Sequence, residues 1–372
     1  MTDDAPAQAD QIEGAPHPRE TRVLLGQDAA EQTFLTAFND NRLHHGWLIT
    51  GPRGVGKATL AWRIATFLLA TPLDDGGMFV PPTPETLDIA DDHPIRARLA
   101  ALSDPGLFLL RRPWDEEKKR HKAQIAVDEV RRLKGFFSLT NPDGGRRVVI
   151  VDTADDMNPS AANALLKILE EPPSDCILLL ISHQPSRLLP TIRSRCRELR
   201  CATLSADDIQ RALIASGIEP GDAGAALAEL AAGSVGEAIG LLTLSGVALY
   251  EQLVSLVAGL PDFDRAKAIT LGDRLAKRGA EVEFDLFIRL TDTLLSRLSR
   301  AGLGLVETEA VPGEAAMLAR LSPNANASRA WASVAAEIGA RLRHGQGVNL
   351  DPASLVLDMV MTLQETAART AA

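Results

Sequence analysis

A chain of 372 residues with a formal net charge of -10 at pH 7 is too long for one ordinary hydrophobic core and too acidic to bind nucleic acid through its overall field. Apolar residues make up 45% but aromatics only 4%, and Ala and Leu dominate long stretches, so helices packed on helices should outweigh sheet. Cys176, Cys196 and Cys201 have no paired spacing, which excludes a disulfide framework and a four-thiolate zinc site and suits a reducing, cytoplasmic setting.

In chain order, MTDDAPAQADQIEGAPHPRE is rich in Ala, Pro and Asp and is expected to form a disordered tail over residues 1–20. Its start is acidic, and no apolar run approaches the roughly 18 residues of a membrane span, so neither a signal peptide nor a membrane contact is expected. QDAAEQTFLTAFNDNRLHH carries apolar residues at helical spacing. GWLIT reads as a short buried strand leading into the glycine loop, and ATLAWRIATFLLA as the helix after it, stopped at Thr71-Pro72. Residues 71–105 read as a surface connection, GLFLL (106–110) as a strand, and RRPWDEEKKRHK as a solvated excursion, with Lys118, Lys119, Arg120 and Lys122 taken as hydrated charges ahead of any DNA contact.

IAVDEVRRLKGFF returns to helical spacing, and RRVVIVD (146–152) is the clearest buried strand, ending in Asp152. MNPSAANALLKILEEPP predicts a helix capped by Asn158 and begun by Pro159. CILLLIS is a strand, RLLPTIRSR a short helix interrupted by Pro190, and CRELRC a last strand. Strands alternating with helices predict an α/β core over 21–202, built on a parallel sheet covered on both faces. Short helices from the Ser205 cap onward predict a small helical lid over 203–245. An all-helical domain is expected over 246–372, its last helix capped by Asp351 and begun by Pro352.

The candidate binding residues are Gly51, Gly54, Gly56 and Lys57 of the glycine loop, with Thr59 and Asp152. A glycine loop between strand and helix aims backbone N–H groups and a helix N-terminus at one spot, which suits the phosphates of ATP, with Mg²⁺ arriving only alongside the nucleotide. A tight turn that needs its glycines for geometry alone is the other reading. Hydrolysis asks for more. Ala58 stands where a Mg²⁺-binding hydroxyl belongs, and Thr59 lies one place too far, about 100° round the helix. Thr153 follows Asp152 where glutamate is usual, and Asp155 and Asp156 read as acids at the start of a helix. Arg193, Arg195, Arg197 and Arg200 form either a solvated face pairing with Glu198 or, from their place at the edge of the core, a reach towards the γ-phosphate of a neighbouring subunit's nucleotide.

NALLKILEEPP, LLISHQPSRLLPTIRSRCREL and the degenerate glycine loop resemble the bacterial clamp-loader subunits of DNA polymerase III, most closely those of the delta-prime type, over about residues 21–240. The resemblance implies a RecA-like AAA+ core with a lid, joined to a collar that holds a hetero-pentamer. Its partners would be the loader's ATPase subunits and delta, with the sliding clamp and primed DNA reached through the complex. The chain would then be a component of the DNA-directed DNA polymerase III holoenzyme, a nucleotidyltransferase complex, without being itself the catalyst.

By the same resemblance, Ser194-Arg195-Cys196 matches the SRC motif, which makes Arg195 an arginine finger acting in trans. Ser182 falls at the first sensor, and Gly236, in GSVGEA, stands where active loaders carry arginine. Some relatives insert a four-cysteine zinc module; residues 71–122 contain no cysteine, so no zinc is expected. The rival reading is an active AAA+ ATPase, either a loader ATPase subunit or a motor, which Thr153 and Gly236 oppose. A soluble nucleotide kinase, the other rival, would not need the helical C-terminal third.

Overall fold

The computed structural model describes residues 8–12, 14–73, 83–138, 145–306 and 308–371. Parts of the tail expected over 1–20 and of the connection expected over 71–105 lie outside the described residues. In order, the chain forms α1 (Asp28–Asn39), β1 (Gly46–Thr50), α2 (Lys57–Ala70), α3 (Pro94–Ala100), β2 (Leu107–Arg111), β3 (Trp114–Asp115), β4 (Arg120–His121), α4 (Val127–Ser138), β5 (Arg147–Asp152), α5 (Pro159–Glu170), β6 (Cys176–Ser182), α6 (Pro190–Arg193) and β7 (Arg197–Arg200). Helices alone follow: α7 (Ala206–Ala215), α8 (Gly224–Leu230), α9 (Val235–Thr243), α10 (Gly246–Val257), α11 (Arg265–Leu275), α12 (Glu281–Ala301), α13 (Glu314–Leu321), α14 (Ala325–Gly347) and α15 (Pro352–Ala371).

The five strands of the main sheet run parallel in the order β2-β5-β6-β1-β7. Alternation along the strands sends Leu48, Leu110, Val149, Val151, Leu178 and Leu180 to one face, where they pack with Val130 and Leu133 of α4 and Leu165 and Leu169 of α5. The intervening Trp47, Ile49, Val148, Ile150, Leu179 and Ile181 are buried as well, and α2 packs against β1, β5 and β6. Burial of both faces explains why these strands read as continuous apolar runs. Each such side chain contributes about 1.5–3 kcal/mol, which makes this sheet the stable platform on which the glycine loop is mounted.

Three local features differ from expectation. Pro190 does not interrupt a helix but begins α6, where its missing N–H costs nothing. His93 caps a short helix, α3, inside the supposed connection by accepting from Ile95 N at 3.2 Å, with Pro94 in the first position. The charged excursion is a small antiparallel ribbon of β3 and β4, closed by Trp114 edge-on to His121 at 5.0 Å. Asn158, Ser205 and Asp351 do cap their helices, accepting from Ala161 N, Asp208 N and Ser354 N at 2.8, 3.1 and 3.1 Å.

The chain divides into two compact units, residues 1–218 with 233–237 and residues 219–232 with 238–372, where the sequence suggested three folded segments. The start of α9 groups with the sheet because Gly236 N donates to Gly54 O at 3.0 Å and Gly233 O accepts from Leu204 N at 2.9 Å. Among its described residues the second unit contains helices and no strand. In it α12 packs on α14, α11 on α15 and α14 on α15, around Tyr250, Phe287 and Trp331, all fully buried. Trp331 keeps its indole N–H satisfied by donating to Leu321 O at 2.7 Å.

Candidate functional site

The glycine loop leaves the C-terminal end of β1 and enters α2, as the phosphate-loop pattern requires. Gly51, Gly54 and Gly56 adopt φ of 142°, 76° and 100°, values that L side chains rarely tolerate. The loop is also crowded. A Cβ on Gly51 would lie 2.4 Å from Cys201 O, and one on Gly56 would meet Leu24 Cδ1 at 2.6 Å. Gln27, which the sequence reading did not single out, fastens the loop from behind. Its buried amide donates to Val55 O at 3.0 Å and to Ala202 O at 2.9 Å, and accepts from Ala202 N at 2.9 Å. No local pattern announces this, because one side chain links positions 28 and 175 residues away.

Lys57 is buried and its ammonium turns back on the loop, donating to Gly51 O at 2.7 Å and to Pro52 O. Asp152, two strands away at the end of β5, and Asp155 just after it are acids whose charges act on it. Thr59 is buried in the first turn of α2. Thus Gly51, Gly54, Gly56, Lys57, Thr59 and Asp152 gather at one end of the sheet. For a nucleotide the fit is partial: the backbone cradle and lysine are present, but Ala58 offers no hydroxyl for Mg²⁺.

Electrostatics around the loop are strained. Burial, and then the charge of Asp10, push the Asp152 carboxyl up to about 7, while burial pulls the Lys57 ammonium down to about 8. Folded Asp152 binds more protons than the unfolded chain between 3.8 and about 7, so stability falls as pH rises through that window. Folded Lys57 binds fewer between about 8 and 10.5, so stability returns as pH climbs through the higher one. Both penalties are present together between the two windows. Lys57→Met should therefore stabilise the protein near neutrality by about 1–3 kcal/mol, read as a higher urea midpoint. A lowered midpoint would show that the lysine holds the loop together instead.

Asp155 does more than begin a helix. Its carboxylate accepts from Ser182 Oγ at 2.7 Å and from the backbone N–H of His183 and Gln184, so the Ser182 hydroxyl is already engaged. Burial, then the charges of Lys57 and Arg53, lower the His183 imidazole to about 4 and keep it neutral.

Arg195 stands elsewhere. It precedes β7, which runs parallel to β1, and its carbonyl lies 3.2 Å from where a Cβ on Gly46 would be, at the start of β1. One strand of five residues therefore separates it from the glycine loop, roughly 16 Å at 3.3 Å per residue. Its guanidinium, 37% exposed, bonds Glu170 Oε1 at 2.8 Å and Thr191 O at 3.1 Å. Glu198, the partner expected from sequence, instead accepts from Thr50 Oγ1 at 2.6 Å, and Arg197 lies over the Trp47 ring at 5.4 Å.

A parallel sheet in this strand order, with a glycine loop after β1, an acid at the end of β5 and helices on both faces, is the RecA-like core of AAA+ proteins. Comparison with known proteins narrows the class. Residues 26–205 match the family described as "DNA polymerase III, delta subunit". Over 220 residues the chain is 40% identical to DNA polymerase III subunit delta' of Pseudomonas aeruginosa, covering 58% of this chain and 60% of that one. It is 31% identical over 194 residues to subunit delta' of Bacillus subtilis, covering 52% and 53%. It is 28% identical over 276 residues to subunit gamma/tau of Mycobacterium tuberculosis, covering 65% and 43%. The matched segments thus span 43% to 60% of these relatives' lengths. Over residues 26–205 the chain is therefore similar to the DNA polymerase III delta-subunit family, and the relatives at 40% and 31% identity are of the delta-prime type that the sequence resembles. No single helix among the described residues is long and apolar enough to cross a membrane.

Proposed function

We propose that this chain is a delta-prime-type subunit of a DNA polymerase III clamp loader, which presents Arg195 to the triphosphate of a neighbouring ATPase subunit and hydrolyses little or no ATP itself. The observation that carries this reading is the placement of Arg195. It is half-exposed at the sheet end opposite the chain's own glycine loop, beyond the reach of any nucleotide held there, which supports a role towards a site on a neighbouring subunit once its exposed pair with Glu170 is released. Ala58, Thr153 and Gly236 support the second half of the reading, and so does the Lys57 ammonium folded onto loop carbonyls.

Residues 203–245 then act as the lid and 246–372 as the collar that holds a hetero-pentamer with the ATPase subunits and delta. The sliding clamp and primed DNA are met through the assembly. ATP binding without turnover is compatible with the glycine cradle, which retains its backbone donors and the N-terminus of α2. In the test, the purified chain is incubated with labelled ATP, alone and then with the loader's ATPase subunits and delta. Binding and phosphate release are measured separately. The expected result is no turnover above background alone and ATP turnover in the mixture that depends on this chain. Sustained hydrolysis by the chain alone would instead make it an ATPase subunit.

A further inference from the structure

Residues 8–12 and 14–20 are not the solvated tail that their composition suggests. The Asp10 side chain is fully buried, bonded to Arg111 and set 3.2 Å from His17 Nε2. Burial alone would raise the Asp10 carboxyl, but His17 and Arg111 outweigh it and hold it below the usual carboxylate range. Gln8 Oε1 accepts from Arg111 Nη1 and Arg19 Nη1, both at 2.8 Å. His17 is 1% exposed and meets the Trp62 ring of α2 edge-on at 6.0 Å. Because Arg111 pairs in register with Asp152, these bonds bring the Asp10 carboxylate to the end of the sheet where the glycine loop lies. Its charge is felt by Asp152. Two residues on, Ile12 Cδ1 lies 2.5 Å from where a Cβ on Gly236 would be, and Gly236 in turn bonds Gly54 of the loop.

We propose that residues 8–12 form an autoinhibitory latch that closes the glycine loop against polyphosphate. Ile12 lies over Gly236, which is bonded to Gly54, and Asp10 places a second carboxylate beside Asp152, where a triphosphate would have to approach. Arg111, which would otherwise greet an anion at this end of the sheet, is spent on Asp10 and Gln8. The latch rests on the reading that the loop retains the capacity to bind a nucleotide phosphate. Apparent affinity falls by the fraction of time the binding-competent form is populated, so a latch open about a tenth of the time or less weakens binding tenfold or more.

The test uses the full chain, a form lacking residues 1–12, and Asp10→Asn, each checked for folding by circular dichroism. Hydrogen exchange of the amides of residues 53–57 reports the seal, and fluorescence of N-methylanthraniloyl-ATP reports binding. Both altered forms should exchange those amides at least tenfold faster and bind the analogue at least tenfold tighter than the full chain. Unchanged exchange, or measurable and equal affinities in all three forms, would overturn the latch while leaving nucleotide binding intact. Faster exchange with no analogue bound by any form would overturn the latch together with the nucleotide reading on which it rests.

Discussion

Arg195→Ala should lower ATP turnover by the reconstituted loader by about 10³-fold or more, the range in which arginine fingers act. In that role the guanidinium would offer planar, paired donors to the charge that develops on the transferred phosphoryl group. Arg193 and Arg197 flank it, but Arg197 is committed to the Trp47 ring. Arg195→Lys should recover little, because an ammonium is a point charge without the fork geometry. The fold itself should be indifferent. The Arg195–Glu170 pair is exposed, and such pairs contribute about 0–1 kcal/mol. The variant should assemble normally and bind ATP in the complex, losing only the hydrolysis step. Turnover equal to that of the unaltered loader would remove the trans role altogether.

The largest effect on stability should come from Glu314→Gln in the helical unit. Glu314 is fully buried at the start of α13, and every route to its carboxylate is used. It accepts from Tyr250 Oη and Arg297 Nε, each at 2.6 Å, from Arg297 Nη2 at 3.2 Å, and from Ala310 N at 2.6 Å. Arg297, itself buried, also donates to Thr308 O and Glu229. One carboxylate therefore ties α10, α12 and the approach to α13 together. An amide cannot balance the guanidinium and cannot accept all four bonds, so the change should cost about 3–5 kcal/mol, the usual result of removing one partner from a buried pair. Replacing both partners, as Arg297→Met with Glu314→Leu, should recover most of that loss, since no charge is then stranded. Urea midpoints for the single and double variants decide the matter. A single variant within about 0.5 kcal/mol of the parent would mean that water reaches and solvates the site.

What could be read in advance followed the physics that sequence encodes locally. Strands at 46–50, 147–152 and 176–182 were legible because burial on both faces leaves uninterrupted apolar runs, and the caps at Asn158, Ser205 and Asp351 because a cap is a short-range bond. The ribbon at Trp114 and His121 was hidden because strands of two residues have no periodicity and its surroundings are charged. At the site, the glycine spacing and Lys57 were plain, whereas Gln27, Asp155 and Asp10 were not. Each acts through a partner at least 27 residues distant, and Asp10 reaches one 101 residues away from within a segment whose composition argues for disorder. The arginine run was visible, but its pairing was not, since Glu170 meets Arg195 only once α5 and the turn before β7 are packed.

The approach of Gly54 to Gly236 limits what position 236 can hold. The resemblance of GSVGEA to the clamp-loader family implies that this position is one where ATP-hydrolysing members would carry an arginine. Here any side chain at 236 would begin 2.9 Å from the Gly54 Cα and 2.5 Å from Ile12, with no room to pass. A side chain at 236 therefore requires the backbones of 54 and 236 to separate first. Position 236 is thus closed from two sides, by a neighbouring backbone that leaves no space for a Cβ and by the Ile12 side chain lying over it.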